Sequence, residues 1–115
     1  MLFRSKIVVI SFGATARSAR RAVVQAREAG IPVGFLRLIS IWPFPEEQIK
    51  ELAQNVDAFI MAEMNLGQLV YEVQRHVNQP VEGVFHAGGA MMPPDPILDT
   101  IKEVSSRGKI GRAHV

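Results

Sequence analysis

The stretch Ala58-Phe59-Ile60-Met61-Ala62-Glu63-Met64-Asn65-Leu66-Gly67-Gln68-Leu69 decides the fold. Its first five residues form a short continuous apolar run, the pattern of a strand covered on both faces. Beyond it Leu66, Leu69, Val70, Val73 and Val77 recur at helical spacing, so the strand period gives way to a helix period. Asn65 is a good N-cap, Gln68 stands where it can bond back to it, and Met64 and Leu69 are spaced as a hydrophobic staple. A carboxylate, an amide and a glycine thus gather at the carboxyl end of a buried strand, where open α/β sheets place their ligand or partner surface.

The same alternation repeats along the chain. A strand is expected over Ile7 to Phe12, closed by Gly13, then a helix from about Thr15 to Ala29 with Ala16, Ala19, Val23 and Ala26 inward and Gly30 as its stop. A second strand follows from Val33 to Ile39. After Trp42-Pro43-Phe44-Pro45, Pro45 suits the first position of a second helix, with Glu46 and Glu47 at its positive end and Ile49, Leu52, Ala53 and Val56 inward. The third strand is Ala58 to Ala62 and the fourth Val81 to His86. Asp95 is placed to cap a last helix with Pro96 at its first position and Ile97, Leu98, Ile101 and Val104 inward. Four strands joined by short right-handed crossovers predict a three-layer α/β/α domain with a mainly parallel sheet in the order 2-1-3-4. Residues 1–5 read as a linker, 6–104 as the domain and 105–115 as a flexible polar tail.

Composition narrows the function. The 115 residues suit one domain and contain no cysteine, so there is no disulfide, thiolate nucleophile or cysteine-ligated iron–sulfur cluster within the chain. A formal charge of +2, without arginines interleaved with aromatics, argues against nucleic acid as a partner. No apolar run approaches a membrane span and the start is too short for a signal peptide, so no membrane partner and a cytoplasmic location are expected.

Three places could carry chemistry. Gly13, Thr15 and Arg17, at the first strand–helix turn, could hold an anion on free helix N–H groups, although neither a dinucleotide fingerprint nor a phosphate loop is present. Trp42 and Phe44 are aromatics held in a restricted loop, suited to docking or to plugging the sheet edge. Glu63 is the one carboxylate ending a buried strand, but no second carboxylate or histidine accompanies it, and accepting backbone N–H bonds is its commoner fate. Together with Asn65 and Gln68, the residues Trp42, Phe44 and Glu63 form the candidate interface. His76, His86 and His114 lack metal-ligand spacing, so neither a metal site nor a catalytic residue is assigned. Arg17, Arg20, Arg21 and Arg27 fall on the outward side of the first helix, a basic face open to solvent or to an acidic partner.

The order of Ser11-Phe12-Gly13-Ala14-Thr15-Ala16-Arg17-Ser18-Ala19, Ala26-Arg27-Glu28-Ala29-Gly30, Leu36-Arg37-Leu38, Trp42-Pro43-Phe44-Pro45 and Glu63-Met64-Asn65-Leu66-Gly67-Gln68-Leu69 resembles a known family segment. It is similar to the C-terminal, transketolase-C-like domain of the alpha subunit of 2-oxoacid:ferredoxin oxidoreductases, the 2-oxoglutarate type most of all. The resemblance implies a share in the coenzyme A-dependent oxidative decarboxylation of a 2-oxoacid, with electrons passed to ferredoxin. The parent enzymes use thiamine diphosphate, magnesium and iron–sulfur clusters, with the diphosphate and magnesium gripped by the beta subunit and the pyrimidine side by the N-terminal part of alpha. The implied partners are therefore the N-terminal alpha domain, the beta subunit and ferredoxin. The implied role of an excised segment like this one is assembly, without cofactor or activity of its own. A nucleotide- or coenzyme A-binding module, and the C-terminal domain of a transketolase or pyruvate dehydrogenase E1-beta type enzyme, are the alternatives.

Overall fold

The computed structural model describes residues 6–13, 15–38, 44–63, 68–85 and 92–113, with the side chains of Gln68 and of 108–113 left out. The elements are β1 (Ile7–Phe12), α1 (Thr15–Glu28), β2 (Val33–Leu38), α2 (Glu46–Ala53), β3 (Ala58–Glu63), α3 (Gln68–Gln74), β4 (Val81–Phe85) and α4 (Pro94–Ala113). The strands form one sheet in the expected order β2-β1-β3-β4, and every pairing is parallel. Ile7 stands between Val33 and Ala58, and Ile10 between Leu36 and Met61, so β1 is the centre of the sheet.

Both faces of the sheet are covered, which explains why residues 7–10 of β1 and 58–62 of β3 are apolar without alternation. On one face Ile7, Val9, Ala58, Ile60 and Ala62 pack with Ala19, Ala22, Val23 and Ala26 of α1 and Ile97, Ile101 and Val104 of α4. On the other, Val8, Ile10, Phe59 and Met61 meet Ile49 of α2 and Leu69, Val70 and Val73 of α3. Ala58, Ile60 and Ala62 of β3 thus face the alanine-lined helix, while Phe59 and Met61 face the shorter helices. Each fully buried Ile or Phe contributes about 1.5–3 kcal/mol of transfer free energy.

Helix ends follow local chemistry. Gly30 has φ +88°, and the Ile31 N–H bonds to Ala26 O while the Gly30 N–H bonds to Arg27 O, both at 3.0 Å. That pair of bonds is a Schellman stop, with Ile31 packed on the core below it. Pro45 occupies the N-cap of α2 (φ −81°, ψ 63°) rather than its first helical position, and its carbonyl accepts the Ile49 N–H at 3.2 Å.

Two expectations at the C-terminal end need correction. Helix α4 begins at Pro94, so Asp95 sits in the first turn and is not its cap; Pro94 itself has the φ suited to a first position. The stretch from Ser105, expected to fray, is helical to Ala113. Val104 and Ser105 are buried, and Arg107 pairs with Glu82 of β4 at 2.6 Å, so tertiary contacts favour the helix as far as Arg107 against the low intrinsic propensity of Ser105 and Ser106. Ile39 and His86, expected as strand ends, lie outside the described residues.

Candidate functional site

The carboxyl ends of β1 and β3 lie side by side, Ser11 opposite Ala62, which brings the Gly13 turn and Glu63 to one edge of the sheet. Glu63 is 2% exposed and extends the β3 series Phe59, Met61 toward the α3 face. Its Oε1 accepts the Leu69 N–H at 3.2 Å and its Oε2 the Val70 N–H at 3.1 Å. The carboxylate therefore satisfies two of the otherwise unpaired donors at the start of α3, six and seven residues downstream. Burial raises its pKa above the ordinary value, and the two N–H bonds oppose that shift. Both oxygens are engaged by backbone, which leaves the group a structural acceptor.

At the other half of the edge, Gly13 takes φ +68°, a left-handed conformation natural only to glycine, and its carbonyl accepts the Ala16 N–H at 3.1 Å. Thr15 is buried and its Oγ1 donates to Phe12 O at 2.8 Å. The hydroxyl proposed to receive an anion is thus directed back to β1 and locks the strand to the helix. Arg17 projects outward and is exposed. Of the two side chains among the anion-site candidates, that of Arg17 is exposed and that of Thr15 is engaged by Phe12 O.

Phe44 is half-buried and stacks on His76 of the segment after α3, ring centroids 5.5 Å apart and planes inclined by 21°. His76 Nδ1 lies 3.4 Å from Glu46 Oε2 and Nε2 lies 3.8 Å from Glu72 Oε2, so the ring joins the start of α2 to α3. Trp42 and Asn65 lie outside the described residues, as does the side chain of Gln68, whose backbone opens α3.

Sequence reasoning missed two polar side chains. Ser18, on the inner side of α1, donates from Oγ to the carbonyl of Met92 and ties that helix to the approach to α4. Ser11 is fully buried with its hydroxyl unpartnered among the described residues. Neither carries a local signal, because both bury a hydroxyl through tertiary packing alone. Among the described residues there is no group of three His, Asp or Glu able to hold a metal ion, and no helix is long and apolar enough to cross a membrane. With Glu63 and Thr15 engaged by backbone, these residues do not fit a magnesium diphosphate, and a chain without cysteine offers no thiolate to an iron–sulfur cluster.

Comparison with known proteins bears on the family and the fold. Residues 5–97 match the family model described as pyruvate:ferredoxin oxidoreductase core domain II. The 2-oxoglutarate synthase subunit KorA of Methanothermobacter marburgensis is 43% identical over 97 residues, 83% of this chain and 26% of the relative. The chain thus spans about a quarter of the length of that curated relative. Among solved structures, a 2-oxoglutarate:ferredoxin oxidoreductase from Magnetococcus marinus, with 2-oxoglutarate, coenzyme A and succinyl-CoA bound, superposes with a TM-score of 0.77 at 21% identity, over 90% of this chain and 18% of that one. A split-gene transketolase, an inactive beta4 tetramer, gives 0.75 at 20% identity, over 90% and 39% respectively. The fold is therefore the transketolase-like α/β arrangement that the resemblance implied, with the strand order 2-1-3-4. By the extent of the family match, the chain belongs to the pyruvate:ferredoxin oxidoreductase core domain II family.

Proposed function

We propose that this chain is an assembly domain of the alpha subunit of a 2-oxoacid:ferredoxin oxidoreductase, with 2-oxoglutarate as the 2-oxoacid. The observation that carries the reading is the pairing of a 43% identity to a 2-oxoglutarate synthase subunit with a sheet edge whose one buried carboxylate is engaged in capping α3. In this reading thiamine diphosphate, magnesium, iron–sulfur clusters and coenzyme A are held by other parts of the enzyme, and ferredoxin accepts the electrons. The domain supplies surface: Phe44, Trp42, Asn65 and Gln68 cluster by sequence at loops of the sheet edge and contact the N-terminal alpha domain and the beta subunit. Glu63, grouped with them by sequence, is buried and supports that edge by capping α3. Residues 6–104 are taken as the structural unit, lengthened by the helix to Ala113.

The alternative of a stand-alone nucleotide- or coenzyme A-binding module is less favoured, because the Thr15 hydroxyl faces the Phe12 carbonyl. The test is copurification of the alpha subunit with the beta subunit, with and without this domain. The expected result is loss of the complex on deletion; a deleted subunit that still binds beta at full strength overturns the assembly reading.

A further inference from the structure

The outward face of α1 carries Arg17, Arg20 and Arg21 within about one helical turn, all exposed. None forms an ion pair or hydrogen bond among the described residues, in contrast to Arg27, whose Nε donates to Val33 O at 2.8 Å. The cluster sits in the first half of α1, whose first turn has no acidic residue, so three positive charges add to the positive end of the helix dipole. Spacings of three and four residues also make these arginines mutually repulsive. Arg37 adds a fourth charge from another element. It pairs in register with Ser11 and extends the β2 series Val33, Phe35 on the α1 side of the sheet, exposed and without a partner among the described residues. Val24, 44% exposed, continues the ridge one turn beyond Arg20.

We propose that this basic corner is the docking surface for a carboxylate-rich patch on the partner beta subunit, an inference that rests on the assembly reading above. Isolated, the corner concentrates unpaired like charge where the helix dipole makes it most costly; a negative protein surface relieves both effects at once. Its make-up, arginine around an exposed aliphatic side chain, matches protein–protein contacts. Phosphate-backbone sites instead need a longer basic track or aromatic stacking platforms. A separate subunit is favoured over a neighbouring domain because long-range attraction speeds the meeting of free molecules, whereas tethered domains already meet at high effective concentration.

The test compares association rates of alpha and beta subunits, from low to about 0.5 M salt, for wild-type alpha and for R17Q/R20Q/R21Q. The expected result is an association about tenfold slower at low salt in the variant, with a much flatter salt dependence, while R17K/R20K/R21K stays near wild type. All three arginines are exposed, and an unchanged melting temperature verifies that the variant is folded. Unchanged rate and salt slope in a folded glutamine variant overturn the basic corner. If deletion of the whole domain still abolishes the complex, the assembly reading survives that result; if deletion has no effect, the assembly reading fails with it. Tighter binding of wild-type alpha to a mixed-sequence RNA than to beta, dependent on the same arginines, also overturns the carboxylate assignment.

Discussion

The side-chain amide of Gln79 donates to the carbonyl of Val56 at 2.7 Å. The same nitrogen reaches Ala53 O at 2.8 Å, so a residue just before β4 holds the exit of α2 and the entry to β3. Two carbonyls left without an intrahelical partner are satisfied by one amide.

Removing that amide should loosen the α2–β3 connection. Gln79→Ala is expected to lower unfolding free energy by about 1–3 kcal/mol, the loss of two partly buried hydrogen bonds. Urea melts measure it directly, and Gln79→Glu should be no better, because a carboxylate would face two carbonyl oxygens.

Glu63 gives stability a pH dependence of definite sign. Its native pKa lies above the ordinary 4.5, with burial the largest cause, so the folded state holds the proton more tightly than the unfolded chain. Its contribution is therefore fully present below the ordinary value and is lost as pH rises through the raised one. The stability of wild type relative to Glu63→Gln should fall as pH rises from 4.5, read from paired urea melts. A relative stability that instead grows with pH would mean the Leu69 and Val70 N–H bonds outweigh burial.

Gly30 is held at φ +88°, where a side chain is strained even with open space around the added carbon. Gly30→Ala should cost about 1–2 kcal/mol and leave the far-ultraviolet circular dichroism of the native state unchanged. No loss in melting temperature would contradict the Schellman assignment.

Ala19 is fully buried where α1 lies on the sheet, packed with the core that also holds the α4 side chains. Ala19→Leu should destabilise by about 1–3 kcal/mol through overpacking. The same change at exposed Arg20 should be close to neutral, and a melt of each variant makes the comparison.

Much of this architecture is visible in the residues themselves. Ile7-Val8-Val9-Ile10 and Ala58 to Ala62 announce doubly covered strands, the alanine stripe announces α1, and Gly30 announces its end, because each is a local pattern set by backbone geometry. The continuation of α4 past Val104 is not visible, since Ser105, Ser106 and Gly108 favour a coil, whereas burial of Ser105 and the Arg107–Glu82 pair favour the helix. At the sheet edge, backbone capping as the commoner fate of Glu63 follows from its isolation among titratable residues. Its partners Leu69 and Val70 do not, because they depend on where α3 settles. Thr15 misled for a similar reason: a threonine at a helix start looks outward in sequence, and only the fold turns its hydroxyl to Phe12.

The central place of β1 also sets the order in which the molecule can be built. Both backbone edges of β1 are filled by strands that follow it in the chain, and the partner of its Ile7 in β3 is Ala58. With every pairing parallel and none closed by a hairpin, no two-strand nucleus can form from neighbouring residues. Until α2 and β3 have emerged, the most apolar strand keeps an open ladder. The nascent chain is then exposed to self-association in the interval between synthesis of β1 and of β3, and substitutions that delay β3 pairing should lower soluble yield more than they lower equilibrium stability.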